Sequence, residues 1–132
     1  MGRVRQYLVD NMYRSFSWSS NNCMSFVSAA LEVQGYKPLP DTWYKGYTTS
    51  KEAYMAYRDN LRLYGYSDII EAMDNIRTRE VTLHPRDGLI VAKKSEDVMG
   101  YAFGVVYAGR CFHLGQEGML VSDLDVSDMY WS

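Results

Sequence analysis

Cysteine, proline and histidine are scarce in this chain: two, three and two among 132 residues. Cys23 and Cys111 are too few for a disulfide framework, and a domain of this length can bury enough surface to fold without one. Long apolar runs are lacking too. The opening MGRVRQYLVDNMYRS offers neither a signal-peptide core nor a membrane span, which predicts no membrane partner and a start in a cytoplasm, with both thiols reduced. Gln6 stands where a myristoylation signal wants Ser or Thr. Charge of one sign is also absent. The formal net charge is −2, and Arg3, Arg5 and Arg14 read as a solvated helix face, so no nucleic-acid partner is expected.

Aromatic residues, by contrast, are plentiful: twelve tyrosines and three tryptophans. Such side chains suit positions where a ring packs and a polar tip stays wet, either at the rim of a small core or at an interface.

One domain spanning 1–132 is expected, with a helical half over about 1–77 and a sheet half over about 78–132. Val4, Leu8, Val9 and Met12 at helical spacing predict a helix over about 3–14. A second starts near Ser20–Asn22, puts Cys23, Phe26, Val27, Ala30 and Leu31 on one face, and stops at Gly35. Residues 36–48 read as an ordered aromatic loop. Thr49 with Glu52 makes a capping-box pattern for a third helix to about Leu63, closed by Gly65. A short fourth covers Ser67 to about Ile76. Period-two, β-branched patterning then predicts strands at Val81–Leu83, Leu89–Ala92, Ala102–Ala108, Cys111–Leu114 and Met119–Val121. Gly109–Arg110 reads as a tight hairpin. Helices first and strands second predict an α+β fold with an antiparallel sheet.

A cysteine in the first turn of a helix faces unpaired N–H groups and the positive end of the dipole, which favour a thiolate. Cys23 also lies on an apolar face, where cysteine often serves only as packing. The segments around it shift that balance. Asn22, Cys23, Phe26 and Gly35, in SWSSNNCMSFVSAALEVQGYKPL, resemble the nucleophile segment of NlpC-type papain-like cysteine peptidases. LHPRDGLIVAK resembles their strand after a Gly-Asp pair, with Asp87 and Gly88 in swapped order. YAFGVVYAGRCFHLGQEGMLVSDL resembles their paired strands. The likeness covers most of the chain and is nearest to small phage and prophage proteins encoded among tail genes, which share Trp43, Gly46 and Tyr47 before the third helix.

The resemblance implies N-terminal helices packed on a small antiparallel sheet, with Cys23 as nucleophile. It also implies a base histidine just before the Val-Gly pair, and alignment on Gly104 puts Ala102 there. Ala102 takes no proton, so the thiol–imidazole pair is incomplete at that position. His113 falls near the family's third position. With a turn at Gly109–Arg110 it would pair opposite Val106, roughly 13 Å along the strand from Ala102.

A tail-associated or assembly protein is therefore expected, NlpC-like in fold and catalytically inactive, found in the host cytoplasm and then in the virion. Its partners would be phage tail or other virion proteins, with peptidoglycan a further one. The rival expectation is a thiol peptidase or amidase acting on peptidoglycan peptides through Cys23, with His113 as base or orienter. A third is a binding module whose Trp43, Tyr44 and Tyr47 hold a protein or glycan. No metal and no cofactor is expected, because Cys23, His84, Cys111 and His113 lack paired short spacing. His84 beside Pro85 reads as a surface residue. Asp123, Asp125 and Asp128 read as a solvated acidic rim.

Overall fold

The structure is a computed structural model describing residues 2–18, 21–96 and 100–132. Among the described residues it is a mixed α+β fold of four α-helices, a short 3-10 turn at Asp41–Trp43 and a six-stranded antiparallel sheet. Among the described residues no helix is long and apolar enough to cross a membrane.

Helix α1 runs Gly2–Asn11, ending three residues before its pattern predicts. Asn11 folds its amide back onto the Tyr7 carbonyl (2.8 Å), and the following Met12 and Tyr13 are exposed, with nothing apolar to hold them. Tyr7 fastens α1 to the next helix by donating its hydroxyl to the Phe26 carbonyl at 2.7 Å. Burial pushes the Tyr7 phenol up, with Arg14 pulling the other way.

Helix α2, Cys23–Val33, begins where its cap predicts. Asn22 accepts from the Ser25 amide, and the Ser25 hydroxyl accepts from the Asn22 amide, so two orphan donors are satisfied reciprocally. Its apolar face, Phe26, Val27, Ala30 and Leu31, is buried. At the other end Gln34 donates to the Gly88 carbonyl at 3.1 Å. Any Cβ on Gly88 would overlap the Gln34 carboxamide, and Gly88 sits at φ +92°, so glycine is required there. Helix α3, Ser50–Tyr64, is capped by Thr49 and closed by Gly65 at φ +74°. Helix α4, Ile69–Ile76, starts two residues later than predicted because Asp68, not Ser67, caps it.

The strands are β1 Arg79–Glu80, β2 Ile90–Lys94, β3 Tyr101–Tyr107, β4 Arg110–Gly115, β5 Gly118–Asp123 and β6 Met129–Trp131, in the order β1-β6-β2-β3-β4-β5. The main core lies between the helices and one sheet face, which supplies Ile90, Phe103, Val105, Leu114 and Trp131. A smaller cluster of Leu89, Val91, Val106, Cys111 and Tyr130 forms separately, in keeping with the period-two alternation of β2.

Four expectations need correction. Val81–Leu83 is not a strand. Arg79–Glu80 pairs instead, and Val81 and Leu83 lie exposed beyond it. Strand β6 is not predicted at all, yet it is inserted between β1 and β2 and carries the fully buried Trp131. The acidic rim is only partly solvated: the Asp128 side chain is 2% exposed and takes Lys93 at 2.5 Å. Finally, the β3–β4 hairpin turns at Ala108–Gly109, one residue early, with Tyr107 opposite Arg110. Both turn residues have positive φ, +51° and +72°, as a type I′ turn demands. Alanine is an uncommon choice there, and Asp87 stabilises the turn by accepting the Ala108 amide at 2.8 Å.

Candidate active site

Moving the turn by one residue moves the pairing by two. Cys111, not His113, stands opposite Val106. His113 comes beside Gly104, where a Cβ would lie 3.0 Å from the His113 Cβ, 2.9 Å from the Cys111 Sγ and 2.5 Å from the Phe112 carbonyl oxygen. The imidazole-bearing residue is therefore one pleat from Ala102, roughly 7 Å along the strand rather than 13 Å. The close approach makes Gly104 obligatory. Gly104→Ala is expected to lower stability by about 1–3 kcal/mol through overpacking and to push β4 away from β3. A urea midpoint unchanged from wild type would show that β4 gives way without cost.

Cys23 and His113 line one cavity of about 380 Å³. Its walls come from Phe16 and Trp18 before α2, from Trp43 and Tyr47 in the loop, from α3 through Tyr57, Leu61 and Tyr64, and from Ala102 on β3. Gln116 and Glu117, in the exposed β4–β5 turn, stand at its margin. Cys23 is half-buried at the first position of α2, where first-turn amides point out of the helix end.

Asn22 assembles this end of the site. Its amide nitrogen donates to the Trp18 carbonyl at 3.0 Å and the Tyr44 carbonyl at 2.9 Å, while its oxygen caps the helix. One side chain, 4% exposed, thus ties the segment before α2 and the aromatic loop to the turn that carries the thiol. A polar residue before the helix signals a cap; nothing local signals the other two bonds.

The aromatic loop is less open than its composition predicts. Tyr44 is buried in the main core, donating to Asp41 at 3.1 Å and sharing a hydrogen bond with Ser28 at 3.4 Å, so it is no exposed binding residue. Tyr47 is also buried. Its ring faces the cavity, its hydroxyl donates to the Thr42 carbonyl at 2.6 Å, and burial pushes its phenol up. Trp43 is half-buried on the cavity wall. His84 is exposed and is not among the residues that line this cavity. Among the described residues no group of three or more His, Cys, Asp or Glu is placed to hold a metal.

The two thiols differ in kind. No disulfide joins them. Cys111 is 1% exposed, and burial pushes its thiol up to about 11, against the opposing pull of Lys93 and a Ser122 hydrogen bond. Brief treatment of folded protein with iodoacetamide is expected to label Cys23 and spare Cys111, since Cys111 is buried and burial pushes its thiol up. Peptide mapping reads the result; equal labelling would show that the sheet opens around Cys111.

A family described as a domain of unknown function, DUF6950, matches residues 2–132. No curated protein and no solved structure matches the chain.

Proposed function

We propose that this chain, which belongs to the DUF6950 family, is an NlpC-like thiol acyl-transfer domain with Cys23 as nucleophile and His113 as its base. The observation that carries this is the shared cavity, which has Cys23 on the first turn of α2 and His113 on β4. The order of a cysteine-headed helix followed by antiparallel strands supports the papain-like comparison. A helix start favours the thiolate, and an imidazole in the same cavity can take the thiol proton and return it to a leaving group. The role that Ala102 leaves empty is filled from the neighbouring strand.

A second reading is favoured by Ala102 itself. It stands at the position the resemblance assigns to the base, and under that reading the domain is a tail-associated scaffold, meeting virion proteins through the Trp43 side of the molecule.

Incubation with an activated acyl ester, p-nitrophenyl acetate, followed by mass analysis of the intact protein, separates the two. An acyl adduct on Cys23 with steady release of p-nitrophenol is expected for wild type, and neither for Cys23→Ala. Absence of adduct and turnover in wild type would overturn the catalytic reading. Retained capture of a virion protein by Cys23→Ala, lost in Trp43→Ala, would establish the scaffold.

A further inference from the structure

The cavity's lining speaks about what enters it. Among its described lining residues Glu117 is the only one that carries a formal charge at neutral pH, His113 apart, and none is Lys or Arg. The larger walls are rings: Phe16, Trp18, Trp43, Tyr47, Tyr57 and Tyr64. Several of their polar neighbours are already engaged with protein. The Asn22 amide is used on Trp18, Tyr44 and Ser25, the Tyr47 hydroxyl on Thr42, and the Asn60 amide on Ala56 at 2.9 Å. Inside, the surface offered to a ligand is therefore predominantly apolar. Polar capacity gathers at the margin, where Gln116 and Glu117 are exposed.

From this we infer that the site takes a carboxylic acid derivative, ester, thioester or amide, whose acyl group is uncharged and predominantly apolar, with the polar leaving group held toward Gln116 and Glu117. This rests on the thiol acyl-transfer reading and names its substrate class. An acyl group bearing its own carboxylate would lose hydration in the cavity and find no Lys or Arg among the described walls, and burying a charge without a partner is costly. The volume of about 380 Å³ falls in the range of small-molecule pockets and holds about a dozen heavy atoms at about 30 Å³ each. That suits a medium-length chain or a single substituted ring.

In the reaction the Cys23 thiolate attacks the carbonyl carbon and forms a C–S bond. The bond from that carbon to the leaving oxygen, sulfur or nitrogen breaks, and the leaving group departs with the proton His113 took from the thiol. Water then attacks the Cys23 thioester, gives one proton to His113 and releases the acid, and the thiolate recovers the proton. No oxidant or further reactant is needed.

Two measurements test this. The first compares kcat/KM of wild type on p-nitrophenyl octanoate, p-nitrophenyl acetate and γ-glutamyl p-nitroanilide, with phenylacetyl p-nitroanilide as the neutral amide of matched leaving group. Each buried methylene is worth about fourfold, so the octanoyl ester, with six more, is expected to exceed the acetyl ester by about 10³–10⁴, and Trp43→Ala to reduce that ratio severalfold. The neutral anilide is expected to be cleaved in preference to the glutamyl one. The second titrates octanamide into Cys23→Ala and follows tryptophan fluorescence, which needs no chemistry. Saturable binding, weakened in Trp43→Ala, supports the inference even if wild type proves inert, in which case only the catalytic reading fails. No binding of octanamide, or a preference for the glutamyl anilide over its neutral partner, overturns the inference while leaving Cys23 chemistry standing.

Discussion

Replacing His113 with alanine is expected to lower turnover of p-nitrophenyl octanoate by about 10²–10⁴, the usual worth of a positioned general base. The imidazole is half-buried with its Nδ1 shielded from solvent, and its backbone is held against Gly104, so its approach to the cavity is set by the sheet rather than by a mobile loop. The loss should fall mainly on kcat, because the aromatic walls that bind the acyl group remain. His113→Ala should still bind octanamide as wild type does, and added imidazole should restore part of the rate, which a merely structural histidine would not allow. Turnover within threefold of wild type would remove His113 from the chemistry. A companion variant, Ala102→His in the His113→Ala background, asks whether the strand position named by the NlpC resemblance can still serve. Partial recovery there would tie the fold comparison to function.

Trp131→Ala is expected to cost about 3–5 kcal/mol, a large share of the stability of a domain this size. The ring is fully buried, sits 6.1 Å from the Phe103 ring, and donates its indole N–H to Asp74 at 2.8 Å. Truncation therefore leaves a cavity and removes a partner from the carboxylate, and it does so on the strand that joins β1 to β2. Urea unfolding reads it; a loss below about 1.5 kcal/mol with an unchanged slope would mean that the C-terminal strand contributes little to the core. The same anchor responds to acid. A hydrogen bond from Arg79 holds the Asp74 carboxyl below the usual carboxylate range, with Trp131 adding to the effect. A depressed folded-state value means that this contribution is complete above the unfolded pKa near 3.9 and is lost as pH falls through the lower folded value. Because the pair is over a third exposed, solvent tempers its size. Asp74→Asn should flatten the acid limb of the stability curve.

How much of this was legible depended on distance along the chain. The start of α2 was readable because its signals are adjacent: Asn22, then Cys23, then apolar spacing up to Gly35. So were α3 and its closing Gly65. The sheet's identity was readable from alternation, but β6 has three residues, too few for a period to show, and follows the scattered aspartates Asp123, Asp125 and Asp128. The aromatic loop announced its rings and concealed their hydroxyls, two of which are spent inside the protein. That Cys23 and His113 line the same cavity depended on a hairpin whose alanine carries no turn signal, steadied by Asp87 far upstream. A one-residue error there became two in register, and with it a wrong separation for the site.

That hairpin has a consequence for how insertions and deletions would act on the site. Side chains alternate across a strand, so one residue added at Ala108–Gly109 would swing Phe112 and Leu114 out of the main core and bring Cys111 and His113 in. Such a change disrupts folding. Two added residues, with the turn still opening after Tyr107, would preserve every inward-facing side chain and carry His113 from opposite Gly104 to opposite Ala102, about 7 Å along the strand. Turn length thus works as a ratchet with a parity rule: odd steps are lethal to packing, while even steps slide the imidazole relative to the thiol within an intact core.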